Sequence, residues 1–330
     1  MPNSGLPFNR RLWSRRQLLK WGLGGIAMGG GAFALHRLTR TSSAPARVPA
    51  IAPELANRPN PMTLLRDFDY GTVKREKGRT VREFDLIADN SVLQLNSAVK
   101  FLSWNVNDRV PGPTLRATEG DRVRIIFRNR AGRPHSLHFH GTHPAEMDGV
   151  TPIRSGRETV YEFDAEPYGV HLYHCHIAPV TRHIGKGLFG LFIVDPPQGR
   201  SPADEMVLVM GGYDINDDKQ NELYAFNGFP DYYQTHPIPI YQNQLVRLYL
   251  LNMIEFDPAV TFHIHANLFQ VYPTGRTLTP KEETDVITMG TAERHILEFS
   301  YPYPGRYMFH PHQDAIAERG CMGEFEVISI

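Results

Sequence analysis

The sequence predicts an all-β protein made of two antiparallel β-sandwiches. Segments such as Arg122–Arg128 and Glu324–Val327 alternate apolar and polar residues, as strands with one buried face do. The chain has 28 glycines and 26 prolines but few long amphipathic helical periods, which favours short strands joined by turns. Two sandwiches of about 110 to 130 residues each account for the chain after residue 80.

The first 35 residues are predicted to be an export signal. Ser14–Lys20 resembles the twin-arginine consensus, and a glycine-rich apolar stretch follows it. That stretch is shorter than the roughly 20 apolar residues that a membrane-spanning helix needs. We therefore expect a cleaved signal and a periplasmic or extracellular protein, with an uncleaved N-terminal anchor as the alternative. Residues 36–79, rich in proline and charged residues, are predicted to be a linker or extended arm.

The sandwiches are predicted at residues 80–196 and 202–330, with their boundary at the Asp195–Gly199 turn. The two halves resemble diverged copies of one unit. The segments HLYHCHIA and GLFGLFIV of the first half parallel RYMFHPHQD and GCMGEFEV of the second.

Four His-x-His pairs carry the chemistry of the chain. Residues i and i+2 of a strand project from the same face, so each pair can direct two imidazoles to one place. Any single pair is more often a pair of ordinary buried or surface histidines, but four together favour a metal cluster. The pairs are His138/His140, His174/His176, His263/His265 and His310/His312.

A blue copper site is predicted beside the first two pairs. Such a site needs two histidines and one cysteine, and the chain offers His135, Cys175 and His183 in the right order. A thiolate with imidazoles favours copper, while zinc, which more often gathers cysteine pairs or three histidines, is the minor alternative.

These motifs resemble the two-domain multicopper oxidases, which are related to copper nitrite reductases. The segment Val110–Asn129, VPGPTLRATEGDRVRIIFRN, also resembles the first cupredoxin domain of that family. The resemblance covers roughly residues 80 to 330 and implies two cupredoxin-like Greek-key sandwiches.

The resemblance implies a role for each donor and four coppers per subunit. His135, Cys175 and His183 would hold a type 1 copper, with Leu188 as a non-ligating axial neighbour that raises the reduction potential. Met147, near the motif in sequence, is the competing axial candidate. The type 2 copper would be held by His138 and His263. The two type 3 coppers would be held by His140, His174, His176, His265, His310 and His312.

The second domain is predicted to lack a type 1 site. Pro311 stands in place of the cysteine and Val260 in place of the early histidine, and the loop after His312 is shorter. Since each domain carries half of the trinuclear ligands, the resemblance implies a homotrimer with the cluster between subunits.

The function implied is one-electron oxidation of a reducing substrate, phenol-like or a metal ion, coupled to four-electron reduction of dioxygen to water. The absence of a methionine-rich insertion favours a laccase-like phenol oxidase over an oxidase of cuprous ions. Electrons would pass through Cys175 to His174 and His176. Asp148 and Asp314 are the predicted proton relays, each weighed against an ordinary solvated carboxylate. His143 and His171 are predicted to support the ligands.

Two other functions compete. A copper nitrite reductase needs only a three-histidine type 2 site, so the additional His138 and His176 favour the oxidase. A non-enzymatic exported copper-binding cupredoxin protein is the second alternative, although such proteins usually lose ligands.

Composition limits the remaining partners. Lys plus Arg equals Asp plus Glu at 35 each, so no net charge favours nucleic acid. The two cysteines lie in different domains, and Cys321 is predicted to pack as a small apolar group rather than bridge to Cys175.

Overall fold

The computed structural model describes residues 59–329, and the predicted signal region lies outside them. The predicted all-β class is confirmed: two β-sandwiches follow one another along the chain. Within the described residues no helix is long and apolar enough to cross a bilayer.

The first domain has ten strands in two five-stranded sheets, one ordered β1-β5-β10-β9-β7 and the other β2-β3-β6-β8 with β4 added beside β3. Its strands are β1 (Phe68–Asp69), β2 (Thr72–Glu76), β3 (Arg79–Gln94), β4 (Lys100–Val106), β5 (Thr114–Thr118), β6 (Arg122–Asn129), β7 (His138–Phe139), β8 (Arg157–Asp164), β9 (Gly169–His174) and β10 (Phe189–Asp195). Its helices are α1 (Pro61–Leu64), a 3-10 turn at Ala145–Met147 and α2 (Val180–Gly185). Aromatic and aliphatic side chains from both sheets, such as Phe127 and Phe192, form its core.

The second domain repeats this plan with a six-stranded sheet, β12-β11-β14-β19-β16-β17, and a five-stranded sheet, β13-β21-β20-β15-β18. Its strands are β11 (Asp204–Tyr213), β12 (Leu223–Phe226), β13 (Ile238–Tyr241), β14 (Val246–Asn252), β15 (Val260–Ile264), β16 (Phe269–Pro273), β17 (Glu282–Thr284), β18 (Val286–Met289), β19 (Arg294–Phe299), β20 (Gly305–His310) and β21 (Gly323–Ile328). Its helices are α3 (Tyr232–Thr235) and α4 (Asp314–Ala317). The predicted domain boundary lies in the connection between β10 and β11.

The linker or extended arm predicted for residues 36–79 contains α1, β1 and β2 in its described part, residues 59–79. Leu65 is fully buried in the core of the second domain, and the Tyr233 hydroxyl donates to the Pro61 carbonyl at 2.8 Å. The sequence offers little indication of these elements, because residues 59–79 show no hydrophobic periodicity. The start of this segment is held in place by contacts with the core of the second domain.

A shared apolar core joins the two domains. Leu172, Phe189 and Leu191 of the first domain pack in one buried cluster with Val209 and Leu251 of the second. Burial of this surface fixes the relative position of the sandwiches, since apolar area removed from water stabilises by about 25 cal/mol per Å².

An ion-pair network reinforces the same junction. Arg116, whose side chain is 8% exposed, pairs with Asp195 of β10 at 2.7 Å and with Glu205 of β11 at 2.7 Å. Glu205 also pairs with Arg247, which in turn pairs with Glu298. The hydrogen bonds from Arg116 and Arg247 keep the pKa of Glu205 below its usual range despite burial, which alone would raise it.

Replacing Arg116 with methionine is expected to lower the free energy of unfolding by about 3 kcal/mol, because the partly buried Asp195 would lose its partner and Glu205 would keep only Arg247. Urea unfolding of the metal-free protein measures this change. The control is Arg306→Met, which removes an exposed pair with Glu326 and should cost less than about 1 kcal/mol. Equal losses in the two variants would contradict the proposed contribution of the network.

Candidate metal centres

The first centre joins three donors from three separate segments of the first domain. Cys175 directly follows β9, His183 lies on α2, and His135 forms an isolated antiparallel bridge with Ile153. The Cys175 Sγ lies 3.1 Å from His183 Nδ1 and 3.7 Å from His135 Nδ1, and the two Nδ1 atoms are 3.1 Å apart. One sulfur and two ring nitrogens therefore converge on a single point.

Burial tunes these donors for a metal ion. It lowers the pKa of His135 and of His183 to about 4, so both imidazoles are neutral at pH 7 and keep a free lone pair. Burial also raises the pKa of the Cys175 thiol, opposed by backbone amides of Ile177 and Ser136. A soft sulfur with two neutral imidazoles in a trigonal set fits copper.

The loop after α2 brings Leu188 to this centre. The Cys175 amide donates to the Leu188 carbonyl at 3.0 Å, and the Leu188 amide donates to the His183 carbonyl at 3.2 Å. The preceding Gly187 has a φ of 110°, and a Cβ there would lie 2.4 Å from Val110 Cγ2. Leu188 is fully buried. Met147, the competing axial candidate, is partly buried against the first-domain core.

The second centre is a group of four imidazoles on β7 and on the β9 end. His138 pairs with His174 across the two strands. The His140 and His174 Nε2 atoms are 2.9 Å apart, and the His138 and His176 rings have centroids 4.8 Å apart. This is the first-domain half of the predicted cluster.

Backbone carbonyls orient these rings. The His174 Nδ1 lies 2.9 Å from the Cys175 carbonyl, and the His138 Nδ1 lies 3.1 Å from the Asp148 carbonyl. A carbonyl only accepts, so each Nδ1 carries the proton and each Nε2 has a free lone pair. Burial lowers the pKa of His174 to about 4 and of His140 to about 3. Facing lone pairs at short distance fit a cation bound between them.

Asp148 adds a carboxylate to the four-histidine group of the first domain. Its Oδ1 lies 3.1 Å from His138 Nδ1 and 3.7 Å from His143 Nε2, and its Oδ2 lies 3.9 Å from His176 Nδ1. Gly149, with a φ of 76°, turns the chain here, where a Cβ would lie 2.1 Å from the Leu137 carbonyl.

The predicted supporting histidines contact the group. His143 approaches Asp148 as described above. His171 is buried, with its Nδ1 2.9 Å from the His140 carbonyl and its Nε2 2.7 Å from the Pro167 carbonyl. It therefore holds the backbone of a predicted ligand.

The third centre repeats the second in the other domain. His263 pairs with His310 across β15 and β20, and the His265 and His310 Nε2 atoms are 3.0 Å apart. The His310 Nδ1 lies 2.7 Å from the Pro311 carbonyl, and the ring of His312 lies 5.4 Å from that of His263. The two domains thus present matching four-histidine groups.

Asp285 is the acidic residue of this third centre, and it was not among the residues predicted from the sequence. Its carbonyl lies 2.8 Å from His263 Nδ1, and its carboxylate lies 3.6 Å from the same atom. The predicted relay Asp314 instead lies exposed at the start of α4, and no hydrogen bond or ion pair of its carboxylate occurs within residues 59–329. Aligning the repeats would have found Asp285, because Asp148 precedes Ile153 much as Asp285 precedes Met289.

The Cys175 centre has no counterpart among the described residues of the second domain. Val260 pairs with Met289 as His135 pairs with Ile153, and Pro311 follows His310 as Cys175 follows His174. Counting back from the matched glycines Gly323 and Gly190, Ile316 stands at the position of His183 and Cys321 at that of Leu188. Both are buried in the apolar core, and Cys321 is a free thiol, as is Cys175.

The two histidine groups remain separate within one chain. Among the described residues, no ring contact or hydrogen bond joins a histidine of His138, His140, His174 and His176 to one of His263, His265, His310 and His312. Each group alone has four imidazoles and one carboxylate.

Several known proteins are similar to this chain in sequence and fold. Two family models, both described as multicopper oxidase, match residues 90–199 and 201–329. A crystal structure of a multicopper oxidase is 48% identical, with a TM-score of 0.80, and covers 82% of this chain and 97% of that one. The blue copper oxidase from Nitrosomonas europaea is 26% identical, with a TM-score of 0.67, over 75% of this chain and 86% of that one. The copper-containing nitrite reductase of Neisseria meningitidis serogroup A is 27% identical over 285 residues, covering 79% of this chain and 71% of that protein.

Proposed function

Because the chain belongs to the multicopper oxidase family, we propose that it couples one-electron oxidation of a small reducing substrate, laccase-like, to four-electron reduction of dioxygen to water. The observation that carries this proposal is the pair of matching four-histidine groups beside one cysteine-containing centre. Eight imidazoles exceed what a mononuclear type 2 site uses, and they suffice for three ions.

Bound copper would supply the one-electron changes at the first centre and the shared capacity for four electrons at the cluster. His135, Cys175 and His183 would hold the type 1 ion, with Leu188 beside it. His138 and His263 would hold the type 2 ion. The type 3 ions would be held by His140, His174, His176, His265, His310 and His312.

The chain itself provides a short path between centres. Cys175 is bonded to His174 and His176, and its carbonyl accepts the His174 Nδ1 proton at 2.9 Å. Cys175 thus links the sulfur donor covalently to His174 and His176, and by a hydrogen bond to His174 as well.

We further propose that the cluster forms between copies of the chain. The two histidine groups do not contact each other within a chain, so a head-to-tail contact would bring the first-domain group of one copy to the second-domain group of the next. A closed ring of three copies would complete three clusters. The twin-arginine motif at Ser14–Lys20 supports export to the periplasm or the extracellular space.

A copper nitrite reductase is the second candidate, favoured by the 27% identical relative. The discriminating experiment combines a copper count per chain with oxygen and nitrite consumption by the purified, copper-loaded protein. Four coppers and oxygen uptake would support the oxidase, whereas two coppers and nitrite consumption would support the reductase. A fully loaded protein that consumes neither would support a copper-binding protein without enzymatic activity.

Asp148→Asn and Asp285→Asn are each expected to slow oxygen uptake by about 10–100-fold, the usual effect of losing a partner of a metal ligand. Each carboxylate lies close to an imidazole of a histidine group, where it could hold a proton and then release it. The blue absorption should be unchanged, because neither residue contacts the Cys175 centre. Oxygen-electrode rates and the visible spectrum measure both effects.

Asp314→Asn is the control for these two variants, since it makes the same chemical change in an exposed residue. We expect native activity from it. A loss with Asp314→Asn that equals the loss with Asp285→Asn would show that the relay has been assigned to the wrong carboxylate.

A further inference from the structure

The imidazoles of the Cys175 centre are shielded from solvent. His135 is 0% exposed and His183 is 5% exposed. The ring of Trp104 covers both, with its centroid 4.8 Å from that of His183, edge to face, and 5.7 Å from that of His135. Trp104 therefore offers an electron from outside a route to both imidazoles that needs no exposed ligand edge.

Trp104 is held firmly in this position. Its amide donates to the Lys186 carbonyl at 2.9 Å, immediately after the helix that carries His183. The residue is 6% exposed and packs in the first-domain core. The indole and the His183 imidazole are thus fixed relative to each other by both backbone and side-chain contacts.

Two guanidinium groups lie over the same indole. The Cζ atoms of Arg133 and Arg182 are 5.3 Å and 5.7 Å from the Trp104 ring centroid. Asp217 pairs with Arg182 at 3.1 Å and with Lys186 at 3.0 Å. In the described part of the chain the Arg133 guanidinium has no carboxylate partner, so positive charge predominates around Trp104.

We propose that Trp104 is the residue through which the electron donor reaches the Cys175 centre, and that Arg133 favours an anionic donor. One electron would leave the donor, which is thereby oxidised, and cross the indole to the centre formed by His135, Cys175 and His183, where bound copper would supply the one-electron acceptor; no covalent bond forms or breaks. Uncompensated positive charge next to the covering group raises the local concentration of anions. This inference rests on the proposed copper chemistry.

The first test uses fluorescence. The chain has three tryptophans, and Trp104 is the one that lies within residues 59–329. In the full chain carrying Trp13→Phe and Trp21→Phe, all indole emission comes from Trp104. Copper loading should quench most of that emission, and Cys175→Ser should prevent the quenching. Emission unchanged by copper, in a protein that has turned blue, would overturn the proposed contact.

The second test measures electron delivery without oxygen. The blue absorption of the copper-loaded protein is bleached in rapid mixing by ferrocyanide, an anion, or by hexaammineruthenium(II), a cation. Trp104→Leu should lose most of the rate with both donors, and Trp104→Phe should restore part of it. Arg133→Gln should slow ferrocyanide alone, by about tenfold at low salt, and the difference should shrink as salt screens the charge.

Arg306→Gln is the control, since it removes an exposed arginine from the second domain. Native rates in both Trp104 variants would overturn the electron route, and equal slowing of both donors by Arg133→Gln would overturn the anion preference. If Trp104→Leu does not bind copper, Trp104→Phe still tests the electron route and Arg133→Gln still tests the anion preference. A native protein that never turns blue would instead contradict the proposed function.

Discussion

Replacing Cys175 with serine is expected to abolish the blue absorption and to lower oxygen uptake by more than about 100-fold. Losing only a partner of a metal ligand costs about 10–100-fold, and this change removes the ligand itself. Serine offers a hard oxygen that does not ionise at neutral pH, so His135 and His183 would lose the soft donor 3.1–3.7 Å away. The visible spectrum, the copper count and the oxygen electrode measure the three consequences.

Cys321→Ser provides the matched control. Cys321 is the other buried free cysteine, at the equivalent of the Leu188 position in the second domain. It contacts no histidine pair in the described residues, so its replacement should leave the blue colour and the copper count unchanged. Loss of colour in Cys321→Ser but not in Cys175→Ser would reverse our assignment of the sulfur donor.

Replacing His263 and His265 together with alanine is expected to eliminate oxygen uptake while preserving the blue colour. The two rings form one side of the second-domain group, so the cluster would lose one of its four pairs. The Cys175 centre lies in the other domain and keeps all of its donors. The copper count should fall from four to about one per chain, because ions shared between pairs depend on every pair.

The control for this variant is His236→Gln. His236 lies in the same domain, but its ring stacks on Tyr232 at 4.3 Å, away from the histidine pairs. Oxygen uptake and the copper count should remain native. A double His263/His265 variant that still consumes oxygen at the native rate would remove the second domain from the cluster and would favour a site built by the first domain alone.

The paired imidazoles of the two histidine groups could be predicted because their geometry is local. A His-x-His pair on a strand places two rings on one face whatever the rest of the fold does, and His174-Cys175-His176 places a sulfur between two of them. The missing site in the second domain could also be predicted, since Val260 and Pro311 cannot act as ligands.

Other features of the site and fold could not be predicted, because they depend on contacts between residues that are distant in sequence. Asp285 reaches His263 from the position just before β18, and Trp104 lies beside His183 on a strand that contains no ligand. The α1 segment is ordered by Tyr233 and by burial of Leu65 in the second domain. No pattern within any one of these segments reveals its partner, so only the folded chain identifies them.

The apolar cluster that joins the sandwiches has a practical consequence. Separate production of either half would leave Leu172 and Phe189, or Val209 and Leu251, facing water on a broad surface. We expect such halves to aggregate rather than to recombine into a working pair. Replacing one sandwich with that of a relative would likewise succeed only when the apolar surfaces of both sandwiches are exchanged together. The pair of sandwiches, rather than a single one, is therefore the smallest unit that can be inherited or engineered.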